Sequence, residues 1–254
     1  MTQFSANLGF LWQDRRLPEA ILAAKGAGFA AVECHWPYEI PSAEVKETLQ
    51  ETGLPMLCLN TRRGDVAAGD NGLAAVPGRE AETRDIIDEA LDYAAQIGAS
   101  HLHVMAGRAN GPKAQETFYT NLHYACRQAA RHGQTILIEP LNSIDAPGYF
   151  LNTTQLAAQC IADVAAPNLR LMFDCYHVGR TEGDVIGRLR ALFPIIGHIQ
   201  FASTPDRGTP DHGDVDYTAV FTEIERLGWT QPLGAEYRPT LPTDQTLDWM
   251  TTVG

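Results

Sequence analysis

The chain has 254 residues, 44 % of them hydrophobic and 20 % charged, enough to bury one sizeable α/β core spanning 1–254 without low-complexity or disordered tracts. Its net charge of −12 excludes the clustered Lys and Arg that displace counterions from nucleic acid or an anionic membrane surface, so a small-molecule partner is expected. The opening MTQFSANLGFLWQD has no basic stretch leading into an apolar one, no later run approaches the ~20 apolar residues of a membrane span, and a cytoplasmic protein is expected.

In chain order, short apolar or β-branched runs predict strands at Phe4–Leu8, Ala31–His35, Met56–Asn60, His101–Met105, Thr135–Glu139, Leu169–Asp174, Ile195–Phe201 and Leu233–Tyr237. Amphipathic segments lie between them. The clearest is Arg84–Ile97, where Ile87, Ala90, Leu91, Ala94 and Ala95 share a face before Gly98 ends it, and similar helices end near Gly28, Gly53, Gly133 and Gly228. Strands alternating with helices imply a parallel sheet, and eight such units in about 250 residues is the size of a single-domain (β/α)₈ TIM barrel. An open doubly wound sheet would carry a Gly-rich fingerprint after its first strand, whereas this chain reads Asn7-Leu8-Gly9-Phe10-Leu11. The one long connection, Thr61 to Arg79, follows the third strand on the active-site face, where such a loop is often a lid. Its Arg62 and Arg63 are candidates to hold a carboxylate substrate. The five cysteines form no CxxC pair and are expected to be buried small residues, with neither a disulfide framework nor a thiolate zinc site.

Four polar residues close four successive strands: Glu139 in TILIEP, Asp174 in LRLMFD, Gln200 in IGHIQFA and Glu236 in LGAEYRP, at intervals of 35, 26 and 36 residues. Each interval is about one strand–helix unit, so in a barrel the four converge. One carboxylate at a strand end is ordinary, since it caps the next helix or pairs with an Arg. Three carboxylates and an amide in one narrow mouth repel unless a cation lies among them. An all-oxygen set suits Mg²⁺ or Mn²⁺ better than zinc, and such an ion beside a carboxylate base promotes proton abstraction next to a carbonyl. His177, Arg207 and Asp145 lie near these residues in sequence and are expected at the same rim. His198 shares the inward direction of Gln200. Asn7, Glu33, His35, Asn60 and His103 sit at the other strand ends, where core and substrate-facing roles both remain open.

The segments FSANLGFLW, GDVAAGDNGLAAVPGRE, ILIEPLNSIDAPGYFL, FDCYHVGRTEG, GHIQFASTPDRGTPDHGDVDY and GAEYRP together resemble the hydroxypyruvate isomerase family of xylose-isomerase-like TIM barrels, over nearly the whole chain. The resemblance implies that Glu139 and Glu236 are paired proton-transfer carboxylates, that Asp174 and Gln200 complete a metal site, and that His177, Asp145 and Arg207 touch substrate. It also implies interconversion of hydroxypyruvate and tartronate semialdehyde through an enediolate. The motif HVMAG leans toward the related 2-oxo-tetronate isomerases, whereas IEPLNSIDAPG and FDCYH lean toward hydroxypyruvate isomerase. Arg238 departs from the lysine usual in both groups and presents a planar fork in place of a point charge. Superfamily endonucleases would need more His ligands and a basic surface. A keto-sugar epimerase or dehydratase shares the first proton abstraction, and a non-catalytic binding barrel would not need all four ligands. A homo-oligomer is compatible with the sequence.

Overall fold

A computed structural model describes residues 2–253. The strands are β1 (Phe4–Asn7), β2 (Ala31–Glu33), β3 (Cys58–Asn60), β4 (His101–His103), β5 (Thr135–Ile138), β6 (Leu169–Asp174), β7 (Ile196–Phe201) and β8 (Leu233–Ala235). All neighbours pair in parallel, in the order β2-β1-β8-β7-β6-β5-β4-β3. The two ends of that order meet: Val32 N–H donates to Pro55 O at 3.0 Å, Leu57 N–H to Val32 O at 2.8 Å and Cys34 N–H to Cys58 O at 3.0 Å. The sheet is therefore a closed barrel with no unpaired edge to protect.

Helices α1 (Leu17–Gly26), α2 (Ser42–Thr52), α3 (Glu80–Ile97), α4 (Gly111–Ala130), α5 (Thr154–Val164), α6 (Cys175–Thr181), α7 (Val185–Leu192), α8 (Tyr217–Arg226) and α9 (Trp249–Thr252) surround it. In α3, Thr83, Ile87, Ala90, Leu91, Ala94 and Ile97 are buried at helical spacing, and Gly98 closes the helix at φ 76°. It starts before the predicted Arg84 because Glu80 and Glu82, polar and outside the apolar stripe, favour the positive end of the helix dipole. Most strands are shorter than their apolar runs, since backbone pairing stops before the runs end. Cys58, Leu137 and Met172 pack as an apolar layer separate from the main core, making the interior a filled plug rather than a pore. All five cysteines are free and buried. Among the described residues no helix is long and apolar enough to cross a membrane.

The 61–79 connection is anchored at several points. Thr61 N–H donates to His103 O at 2.9 Å, Ala74 N–H to Met105 O at 3.2 Å and Ala75 N–H to Ala106 O at 2.7 Å, and Leu73, Ala74 and Ala75 are buried. Backbone bonds and burial thus anchor Thr61 and the stretch 72–75 to the end of β4 and the segment after it, while 65–69 and Gly78 are exposed.

Candidate active site

Inward residues alternate along each strand, so the register fixes which side chains share a level. Asp174 pairs with Gln200, and Gln200 with Gly234; Glu139 and Glu236 directly follow β5 and β8. Glu139, Asp174, Gln200 and Glu236 are all buried. Arg207 ties two of them together, its Nη2 lying 2.5 Å from Glu236 Oε2 and 3.7 Å from Asp174 Oδ2. The guanidinium is sandwiched 4.7 Å from the Phe10 ring centroid and 4.9 Å from that of Tyr176, a desolvated arrangement worth up to about 2 kcal/mol per contact. Its backbone holds φ 59°, a conformation that costs a residue with a Cβ roughly 1–2 kcal/mol.

The two glutamates occupy opposite environments. Glu236 Oε1 accepts from Asn7 Nδ2 at 2.9 Å and meets His35 Nε2 at 3.0 Å, while Oε2 takes Arg207. Asn7 cannot present its other end, because its Oδ1 is already occupied by the Gly9 N–H at 2.9 Å. Gly9 also lets His35 reach Glu236: a Cβ there would sit 2.2 Å from the imidazole Nδ1. Burial raises the Glu236 pKa, but the Arg207 charge and the His35 bond outweigh it and hold the carboxyl well below the usual range. Glu139 has no such support. Its Oε2 is 3.6 Å from His103 Nδ1 and its Oε1 3.7 Å from His177 Nε2, and burial followed by the charges of Glu236 and Asp174 pushes it well above the carboxylate range. Burial and the Glu236 charge likewise raise Asp174, to about 7. The two carboxyls are therefore shifted in opposite directions, Glu236 down and Glu139 up.

The tautomer of His177 follows from its neighbours. Asn142 Oδ1 accepts the N–H groups of Ile144 at 3.1 Å and Asp145 at 2.9 Å, so its Nδ2 is the end that faces Asp145 Oδ2 at 3.0 Å and His177 Nδ1 at 2.8 Å. The Asn142 backbone N–H also donates to His177 Nδ1, at 3.1 Å. With two donors on Nδ1, the ring proton belongs on Nε2. That proton points toward Glu139 and Asp174. Burial and Arg207 lower the imidazole to about 3, so the ring is a neutral hydrogen-bond donor.

Oxygens of Glu139, Asp174 and Gln200 lie buried with no hydrogen bond: Glu139 Oε1, Asp174 Oδ2 and Gln200 Oε1. Asp174 does cap a helix, Oδ1 accepting the Tyr176 N–H at 2.8 Å, yet that leaves Oδ2 free. Three unsatisfied buried oxygens, two of them on carboxylates raised by mutual repulsion, are the donor set a hard divalent cation satisfies. Glu139, Asp174 and His177 place potential ligand atoms within 4.8 Å of one another. The histidine is the weakest of these, because a metal on Nε2 would leave Nδ1–H facing two other donors.

A profile of the xylose isomerase-like TIM barrel family matches residues 21–253. The chain belongs to that family. A 2-oxo-tetronate isomerase of Cupriavidus necator is 42 % identical, covering 98 % of each chain, and a hydroxypyruvate isomerase of Escherichia coli is 35 % identical with 98 % of each covered. A solved structure described as an AP endonuclease, family 2, from Brucella melitensis superposes with TM-score 0.95 at 35 % identity over 99 % of both chains. The D-allulose 3-epimerase of Methylomonas sp., at TM-score 0.79 and 20 % identity over 100 % of this chain and 97 % of that one, shares the fold. The chain is an isomerase of the xylose isomerase-like family.

Of the remaining predicted residues, Asn60 stands beside the site, its Oδ1 3.3 Å from His103 Nδ1. Asp145 is held by Asn142 and by Tyr176 OH at 2.5 Å. Arg62 is not brought to the cluster: it bonds Glu89 at 2.7 and 3.1 Å and Glu39 at 3.1 Å, because two carboxylates from neighbouring segments satisfy its fork. Arg63 lies 4.1 Å from the Trp36 ring centroid. Arg238 is exposed, its guanidinium 5.4 Å from the Phe10 centroid, and among the described residues no carboxylate pairs with it. Asn142 was not singled out from sequence, although its place in EPLN, three residues after Glu139, was the available signal.

Proposed function

We propose that the chain isomerises a short 2-oxo or hydroxy acid by moving a proton between adjacent carbons, with hydroxypyruvate the first substrate and tartronate semialdehyde its product. The observation that carries this reading is the contrast between Glu236, both of whose oxygens are hydrogen-bonded, and Glu139, whose buried Oε1 has no hydrogen bond, around one cluster. Glu139 Oε1, Asp174 Oδ2 and Gln200 Oε1, with Glu236 adjoining, would hold Mg²⁺ or Mn²⁺. When bound, that ion supplies a Lewis acid that favours the enediolate.

Glu236 removes the proton from C3 of hydroxypyruvate, and the electron pair moves through C2 onto its oxygen. Glu139 delivers a proton to C2, while the C3 hydroxyl proton is lost as that oxygen becomes the aldehyde carbonyl and the C2 oxygen gains one. The net change is one hydrogen moved from C3 to C2 and one from oxygen to oxygen. His177 Nε2–H supplies a hydrogen bond to a substrate oxygen, and Asn142 keeps that proton in place. Arg207 keeps Glu236 ionised; Arg238, without a carboxylate partner, takes the substrate carboxylate, with Arg63 and Asn60 as further rim contacts.

A second reading, 2-oxo-tetronate as substrate, uses the same proton shift. It is favoured by the Cupriavidus necator relative. Phosphodiester cleavage is not proposed, since the net charge of −12 opposes a polyanion. The test is an NMR time course of Mg²⁺-loaded protein with each acid in deuterated water. Conversion with label entering the substrate carbon supports the proposal, and failure to convert either acid refutes it.

A further inference from the structure

The proposed chemistry leaves the buried carboxylate of Glu33, beside the cluster, without a task. Glu33, ending β2, is 1 % exposed and reaches across the barrel to β7. There its Oε2 accepts from Gln200 Nε2 at 3.0 Å and meets His198 Nε2 at 2.8 Å. A carboxylate ligand has two like oxygens and needs no sorting, but an amide has one acceptor end and one donor end of nearly equal shape, and the donor end cannot hold a cation. Gln200 is the one member of the four-residue cluster that could present the wrong atom. Its NH₂ is committed to Glu33, and its Oε1 is buried with no partner. The reversed amide would set Oε1 against Glu33 Oε2, two acceptors with no proton between them.

Gly234 points independently to the same arrangement. It pairs in register with Gln200, and a Cβ there would lie 2.1 Å from Glu33 Oε1, 2.8 Å from Gln200 Cγ and 3.0 Å from His198 Nε2. Three side chains from two strands thus converge on the one spot of β8 that has no side chain of its own.

We propose that Glu33 is a positioning residue that sorts the Gln200 amide so that its oxygen faces the cation site, with His198 steadying Glu33 and Gly234 giving it room. This rests on the reading of Gln200 as a ligand. Outer partners of this kind orient ligands, and their loss typically weakens metal binding by about 10–100-fold. The test is calorimetric titration of Mg²⁺ into metal-stripped wild type, Glu33→Gln, Gln200→Ala and the double variant. Glu33→Gln should weaken affinity by about 10–100-fold, and the double variant should bind within about twofold of Gln200→Ala, as expected when one residue acts only through the other. Wild-type affinity in Glu33→Gln, or the same loss from Glu33→Gln in the Gln200→Ala background, overturns the positioning role. Wild-type affinity in Gln200→Ala instead overturns Gln200 as ligand. A measurement on the unmutated protein guards against a variant that does not fold. By NMR, the Gln200 side-chain NH₂ should exchange slowly and keep its shift on Mg²⁺ saturation while its carbonyl carbon moves. An NH₂ that shifts with Mg²⁺ beside an unmoved carbonyl carbon overturns the proposal.

Discussion

Replacing Arg207 by Met tests whether Glu236 is kept ionised by the pair seen in the structure. The guanidinium lies 2.5 Å from Glu236 Oε2 with both side chains buried, and breaking such a pair costs about 3–5 kcal/mol because one charge is left alone. At about 1.36 kcal/mol per unit, that raises the Glu236 pKa by roughly 2–4 units. Asn7 and His35 remain on Oε1, so the lower end, about 2 units, is expected. The sign follows from the depressed pKa: Glu236 is a base only when ionised, so raising its pKa moves the acid limb of kcat/KM to higher pH. A carboxyl with a depressed folded pKa also contributes stability that is present above its unfolded value and lost on acidification, and the variant forgoes that contribution at neutral pH. Met and Arg bear the same backbone strain at φ 59°, which therefore cancels in the comparison. The assay is the pH profile of kcat/KM in Mg²⁺-saturated protein, with thermal melts of the metal-free protein at pH 7. An acid limb that stays in place with an unchanged melting temperature would show that Arg207 does not set the charge of Glu236.

Glu139→Gln and Glu236→Gln should each lower kcat by about 10²–10⁴-fold, and the double variant should lose far less than the product; a single variant at wild-type rate with its metal content confirmed sinks the two-glutamate scheme. Chelation should abolish turnover and Mg²⁺ or Mn²⁺ restore it, which full activity in protein shown by elemental analysis to be metal-free would contradict. Because Asp174 is raised to about 7, the cation must displace protons below that pH: apparent Mg²⁺ affinity should fall as pH falls through 7 to 6, with proton release detectable by calorimetry in buffers of different ionisation enthalpy, and a pH-independent affinity would refute it. Arg238→Met should raise KM for the substrate acid several-fold with a smaller change in kcat, whereas an unchanged KM places the substrate carboxylate elsewhere.

The barrel was legible because its signal is local: short apolar or β-branched runs, 3.6-residue stripes and closing glycines each occupy a couple of dozen residues or fewer. The four-residue cluster was legible because strand ends in a parallel barrel share one face. What sequence could not show is which end of each side chain is already in use. Glu33 meets Gln200 across 167 residues of chain and Asn7 meets Glu236 across 229, so neither partnership leaves a local pattern. Arg62 shows the converse. Its place in an active-site loop suggested a carboxylate contact, but the partners that claim it, Glu39 and Glu89, come from other parts of the chain. The 61–79 connection is a further case, since loop length says nothing about the backbone bonds its second half makes beside β4.

The positive φ of Arg207 has a bearing on any attempt to stabilise this enzyme. A search for strained positions would nominate residue 207 first among the rim residues and replace it by glycine, relieving about 1–2 kcal/mol of backbone strain. That gain would be outweighed by the about 3–5 kcal/mol lost when the buried Glu236 carboxylate is left without its partner. Selection for heat resistance alone should therefore retain Arg207 in spite of its strained backbone, and a stabilised library should gain its stability elsewhere in the barrel.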